Sequence, residues 1–170
     1  MKPLQILMFL LTTLQSYGQY QWTIIGEKQE YKNIKSGEKC HLFNVQSKKV
    51  LGYHKQKKGI NLSWLKPQKT NFNIIFKDKN DDGVLDTQDS VAIYVVDGAY
   101  LKYGVREYSI NMVWSQIPVY EWVIVAENAD ATTFVQPQKK YGLYNRSKQA
   151  YMICAESDGV GVRLQWSDEW

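Results

Sequence analysis

Trp22-Thr23-Ile24-Ile25, Phe72-Asn73-Ile74-Ile75 and Trp122-Val123-Ile124-Val125 are aromatic-led apolar runs that start 50 residues apart. Other landmarks recur in the same order between them. Leu42, Ile93 and Leu143 sit inside HLFN, AIYV and GLYN. Val50-Leu51-x-Tyr53, Tyr100-Leu101-x-Tyr103 and Tyr151-Met152-x-Cys154 follow, and then Trp64, Trp114 and Trp166 close each stretch. Four landmarks in register mark internal repetition, the first feature to seek in any sequence. Each repeat holds four short apolar segments parted by polar turns such as Gln46–Lys49, Asp97-Gly98 and Arg146–Gln149. None keeps a 3.6-residue apolar period over helical length, so the pattern predicts an all-β chain.

Three repeats of four strands resemble the β-trefoil family, over essentially the whole chain from residue 19. The last repeat stops at Trp170, short of its own aromatic-led run, while the run at Trp22 precedes the first full repeat. The resemblance therefore implies an N-terminal strand that completes the third repeat. Repeat bounds fall at about 22–71, 72–121 and 122–170 of a single domain spanning 19–170. Within the trefoils, the pattern is most similar to ricin-type lectin domains, whose repeats end in Gln-x-Trp. Here the triplets are degenerate: Tyr20-Gln21-Trp22, Thr70-Asn71-Phe72 and Tyr120-Glu121-Trp122 keep the aromatic alone. The resemblance implies carbohydrate as ligand.

Composition narrows the class. The chain has 170 residues, 44% hydrophobic and 14% aromatic, too apolar for disorder. Two Cys and 2 His make neither a disulfide-dense scaffold nor a His-rich metal site. Met1-Lys2 followed by the apolar run Leu4–Leu14 and the small residues Ser16 and Gly18 reads as a signal peptide over 1–18, too short for a membrane span. Export is the expectation, to the periplasm or the extracellular space. No other run is long enough to span a membrane, and the mature chain is expected to be a monomer without stable membrane insertion.

Charge is uneven along the chain. Residues 19–70 carry 11 Lys against 3 Glu, a net of +8. Residues 71–121 carry a net of −4 and residues 122–170 a net of −1. Lys48, Lys49, Lys55, Lys57 and Lys58 are expected to cluster on one hairpin and to attract an anionic partner, such as an acidic glycan. Nucleic acid is not the expected partner of an exported chain with mild overall charge. A solvated Lys-rich face is the competing reading.

Residues 78–89 read DKNDDGVLDTQD. Asp78, Asn80, Asp82, Gly83, Asp86 and Asp89 then stand at loop positions 1, 3, 5, 6, 9 and 12, and Val84 at position 7 offers its carbonyl. The spacing resembles the calcium loop of EF-hands, and the Asp at position 12 resembles dockerin loops. A hard cation takes six or more oxygens, alternate side chains of a tight loop can point inward, and the Gly makes the sharp turn. One structural calcium is expected, with Leu85 turned toward the core. An ordinary acidic turn is the alternative.

Trp22, Phe72 and Trp122 are expected in the core with Leu42, Ile93 and Leu143. Trp64, Trp114, Trp166, Tyr53 and Tyr103 are candidates either for packing at the barrel end or for stacking on sugar rings. Cys40 and Cys154 could form a bridge or remain buried thiols. Asn61-Leu62-Ser63 and Asn145-Arg146-Ser147 fit the glycosylation sequon. No G-x-S-x-G, H-E-x-x-H or phosphate-cradling loop occurs, so no enzyme is expected. The reading is a secreted carbohydrate-binding module. Its rivals are a protein–protein module, such as a trefoil protease inhibitor or a signalling ligand, and a structural or adhesion protein.

Overall fold

The computed structural model describes residues 21–28, 32–68, 71–127, 132–155 and 162–168, so the expected signal peptide at 1–18 lies outside the described residues. The short apolar runs form strands: β1 (Trp22–Gly26), β2 (Lys39–Asn44), β3 (Lys49–Tyr53), β4 (Leu62–Leu65), β5 (Ile74–Asp78), β6 (Ser90–Val95), β7 (Tyr100–Tyr103), β8 (Met112–Ser115), β9 (Trp122–Ala126), β10 (Tyr141–Asn145), β11 (Ala150–Cys154) and β12 (Leu164–Ser167). All ladders between them are antiparallel.

Pairing runs β1–β2–β5–β6–β9–β10 and returns to β1 through Trp22 and Tyr141. These six strands close a barrel. The hairpins β3–β4, β7–β8 and β11–β12 lie outside it, each attached to a barrel strand at one edge. This corrects the β-trefoil expectation of three four-strand repeats: the finding is a closed six-stranded antiparallel barrel with extra strands outside. The physical reason is that pairing crosses the repeat boundaries. The barrel draws two strands from each stretch of about 50 residues and leaves the other two as an outer hairpin. Closure removes the edges that the six barrel strands would otherwise expose.

The core fills the barrel and the space under the hairpins. Trp22, Ile24, Leu42, Ile74, Phe76, Ile93, Trp122, Ile124 and Leu143 are fully buried. Two indole N–H groups find carbonyls on the adjoining hairpins: Trp22 Nε1 donates to Met152 O (2.7 Å) and Trp122 Nε1 to Leu101 O (2.8 Å). Phe72 has no such donor, lies just before β5, and stacks on His41 with ring centroids 4.2 Å apart.

Three loops seal one end of the barrel. Ile34, Leu85 and Val135 follow β1, β5 and β9, and all are buried. Their backbones form a closed ring of hydrogen bonds: Ile34 N to Val135 O (2.8 Å), Leu85 N to Ile34 O (3.3 Å) and Val135 N to Leu85 O (2.7 Å). The ring satisfies backbone groups that no ladder reaches.

Candidate functional site

The segment between β5 and β6 contains most of the acidic motif. Asp78 Oδ1 accepts from Asn80 N (3.4 Å), Asn80 Oδ1 from Asp82 N (3.3 Å), and Asp82 Oδ1 from Val84 N (2.9 Å). Each alternate side chain thus accepts from the N–H two residues on, the Asx-turn pattern that Asn and Asp favour. Asn80 Nδ2 also donates across the loop to Asp89 Oδ2 (3.4 Å). Gly83 has φ +84° and nothing within 4 Å of where a Cβ would stand, so the backbone conformation, not space, calls for glycine there.

Asp78 is the anchor. The residue is 3% exposed, its backbone N–H donates to Ser36 Oγ (3.0 Å), and its Oδ2 has no hydrogen-bond partner among the described residues. Asp86 Oδ1 is likewise buried without a partner. Burial raises the Asp78 carboxyl above its usual range, and the charges of Asp89 and Asp82 add to this while the Asn80 and Lys79 N–H groups oppose it. Asp86 is raised by burial and then by Asp82 and Asp78. Asp89 is raised by burial and by Asp86 and Asp82, against Asn80 and Arg146. Asn80 and Asp82 are exposed, and Val84 is half-buried. Among the described residues, no three His, Cys, Asp or Glu side chains are drawn together into a metal-holding group. The loop's donor set also includes the Asn80 amide and the Val84 carbonyl, which lie outside that chemistry.

The second half of the loop is built into the fold. Leu85 joins the buried ring at the barrel end. Asp86 bridges to Phe134, and Thr87 N donates to Thr133 O (2.8 Å) while Thr133 N donates back to Thr87 Oγ1 (2.9 Å). Gln88 N reaches Ile124 O (3.0 Å), and Arg146 Nη2 holds Gln88 O (3.1 Å). Ser36, Thr133 and Arg146 support the loop from distant parts of the chain, and nothing in the local motif identifies them.

The aromatic candidates are all half-buried. Trp64 stacks on Trp22 and Trp166 on Trp122, both with centroids 5.8 Å apart. Tyr53 meets Trp114 at 6.1 Å and Tyr103 meets Trp166 at 6.2 Å. Tyr53, Trp64, Trp114 and Trp166 pack against the core cluster. The indole N–H groups of Trp64 and Trp166 are buried without partners.

The lysine candidates are all exposed, and β3 divides them. Lys48 and Lys49 lie where β3 begins, whereas Lys55, Lys57 and Lys58 lie beyond its end. At about 3.3 Å per residue, the strand sets the groups roughly 15–20 Å apart. Lys58 Nζ lies 5.3 Å from the centre of the Tyr108 ring, and Arg106 Nη2 donates to Gly59 O (2.7 Å). The loop after β3 therefore touches the loop after β7. Cys40 and Cys154 are free buried thiols, donating to Ile74 O (3.4 Å) and Ala155 O (3.7 Å).

No model of a known protein family, no curated protein and no solved structure matches this chain significantly.

Proposed function

We propose that this chain is a secreted binding module for carbohydrate whose β5–β6 loop is held by one calcium ion. The observation that carries the calcium reading is the unpartnered, buried Asp78 Oδ2 in a loop whose side chains already turn inward by Asx turns. An unmatched buried carboxylate oxygen is costly, and a cation would satisfy it. Asp78, Asn80, Asp82, Asp86, Asp89 and the Val84 carbonyl would supply the oxygens, in keeping with the chemistry of a hard divalent ion. Burial first and mutual repulsion second raise the Asp78, Asp86 and Asp89 carboxyls, and a cation would offset both. The ion's role would be structural, because the loop feeds Leu85 into the barrel end.

The carbohydrate reading rests on the side chains that the loops present. Phe134 is 51% exposed in an open depression shared with Lys139, Lys140 and Tyr141. Tyr108 is 44% exposed beside Lys58. Aromatic faces beside cations suit sugar rings, acidic ones included. The leader-like sequence at 1–18 supports export. A glycan array of neutral and acidic sugars, run with calcium and with a chelator, tests the reading. Binding to a defined set of glycans is expected, and silence across the whole array in both conditions would sink the carbohydrate reading.

A further inference from the structure

The loop after β3 (54–61) and the loop after β7 (104–111) form one continuous surface. Lys55, Lys57 and Lys58 are exposed on the first, and among the described residues none of them is ion-paired. Arg106 crosses from the second and donates to Gly59 O at 2.7 Å. Tyr108 (44% exposed) lies under Lys58, and Val105 on the same loop is 80% exposed. Glu107 is the one acid in these two loops.

Both loops are set before any partner arrives. Asn61 Oδ1 accepts from Gln56 N (3.0 Å), and Asn111 Oδ1 accepts from Arg106 N (3.0 Å). His54 N and Gly104 N reach the carbonyls of Asn61 (3.2 Å) and Asn111 (3.3 Å). Gln56 Nε2 further donates to Leu62 O (3.1 Å). Side chains mounted on loops so constrained lose little backbone freedom on binding.

We propose that this joined surface docks an anionic polysaccharide, one carrying sulfate or carboxylate groups, through Lys55, Lys57 and Lys58, with Tyr108 as a platform for a sugar ring. The proposal deepens the carbohydrate reading and depends on it. Unpaired lysines spaced along one rigid loop match a polymer with repeating negative charge better than a single small anion. The exposed ring among them offers an apolar face that a purely electrostatic site does not need.

Charge-matched variants provide the test. Lys55→Gln/Lys57→Gln/Lys58→Gln removes the patch. Lys48→Gln/Lys49→Gln/Lys66→Gln removes equal charge, and these exposed lysines lie at the opposite end of the β3–β4 hairpin, where Val50 pairs with Leu65. Binding to immobilised heparin, to neutral dextran and to mixed phosphatidylserine–phosphatidylcholine vesicles is measured for each, with melting curves to verify folding. The wild type is expected to bind heparin in a salt-sensitive way, and the patch variant to lose about tenfold in affinity, with the control losing little. Equal losses in the two variants would overturn the patch in favour of overall charge. Binding to dextran alone, unchanged in the patch variant, would overturn the patch and leave the carbohydrate reading standing. Vesicle binding without heparin binding, or no binding to heparin at all, would overturn the patch, and the glycan array then decides the carbohydrate reading separately.

Discussion

The backbone N–H of Val135 donates to the carbonyl of Leu85 at 2.7 Å, joining the loop after β9 to the acidic loop after β5 at the buried end of the barrel. Anything that fixes the acidic loop should therefore stabilise the whole barrel and not merely a surface turn. Calcium at about a hundred times its dissociation constant is expected to raise Tm by about 5–10 °C. Asp82→Ala should abolish that rise while leaving the cation-free Tm nearly unchanged, because Asp82 is exposed and, among the described residues, its side chain accepts one hydrogen bond, from Val84 N. Scanning fluorimetry with calcium and with chelator checks both. An unchanged wild-type Tm counts against the site.

The same linkage predicts where protection appears. Leu85, Thr87, Thr133 and Val135 exchange four backbone or hydroxyl hydrogen bonds across the two loops. Calcium is expected to slow amide hydrogen exchange at Thr87, Thr133 and Val135, and to leave the outer β3–β4 hairpin unaffected. Uniform slowing throughout the chain would point instead to a global effect without a local site.

Glu121 and Gln21 do the same work at two places. Gln21 Oε1 accepts from Cys154 N (2.9 Å) and Asn44 Nδ2 (3.4 Å). Glu121 Oε1 accepts from Tyr103 N and from Asn145 Nδ2 (2.9 Å), and both residues are buried. Each ties a barrel strand to an outer hairpin. Glu121→Ala should leave the buried Asn145 amide and the part-buried Tyr103 N–H unmatched and cost about 1–3 kcal/mol, whereas Glu121→Gln should cost little. Urea unfolding of the two variants separates these outcomes, and equal losses would remove the acceptor argument.

The all-β class was legible because short apolar runs alternate with polar turns, and so were the buried Trp22, Trp122 and Leu143. The acidic loop was legible because its residues are consecutive; the Asx turns at Asn80 and Asp82 and the burial of Leu85 follow from their spacing. Pairing was not legible. That β2 leaves its own hairpin to meet β5 is a choice between distant partners, which a repeat period does not encode. The lysines looked like one cluster because they are near in sequence, yet β3 stands between them. Arg106 was hidden by its setting, a basic residue in the acidic middle of the chain that reaches Gly59 only in space. Ser36 and Thr133 carried no signal, since each supports the acidic loop from a remote segment.

Trp166 offers a way to separate packing from binding. Its ring stacks on buried Trp122 and meets Tyr103 edge-on. Trp166→Ala should cost about 2–3 kcal/mol of stability, somewhat less than a fully buried tryptophan, since the ring is half-exposed. Trp166→Phe should recover most of it, because the unpartnered indole N–H contributes no hydrogen bond to lose. If Trp166→Phe keeps its stability and loses glycan affinity, the ring also serves a ligand. If Trp166→Ala is as stable as the wild type, the packing account fails.

The two thiols yield the last prediction. Burial raises Cys40 well above the ordinary thiol value, with the Glu38 charge adding, and burial raises Cys154 despite the opposing charge of Arg163. A thiol whose pKa is raised is less ionised at neutral pH, and the thiolate is the reactive form. Folded protein should therefore react slowly with iodoacetamide, Cys40 most slowly, and unfolding in urea should release two fast-reacting thiols. Because β2 and β11 hold the two cysteines on different ladders and each sulfur already donates to a carbonyl, oxidation should not join them without disturbing the barrel. Mass spectrometry of the alkylated protein, with and without prior reduction, checks this: a species that alkylates only after reduction would show a Cys40–Cys154 bridge and overturn the account.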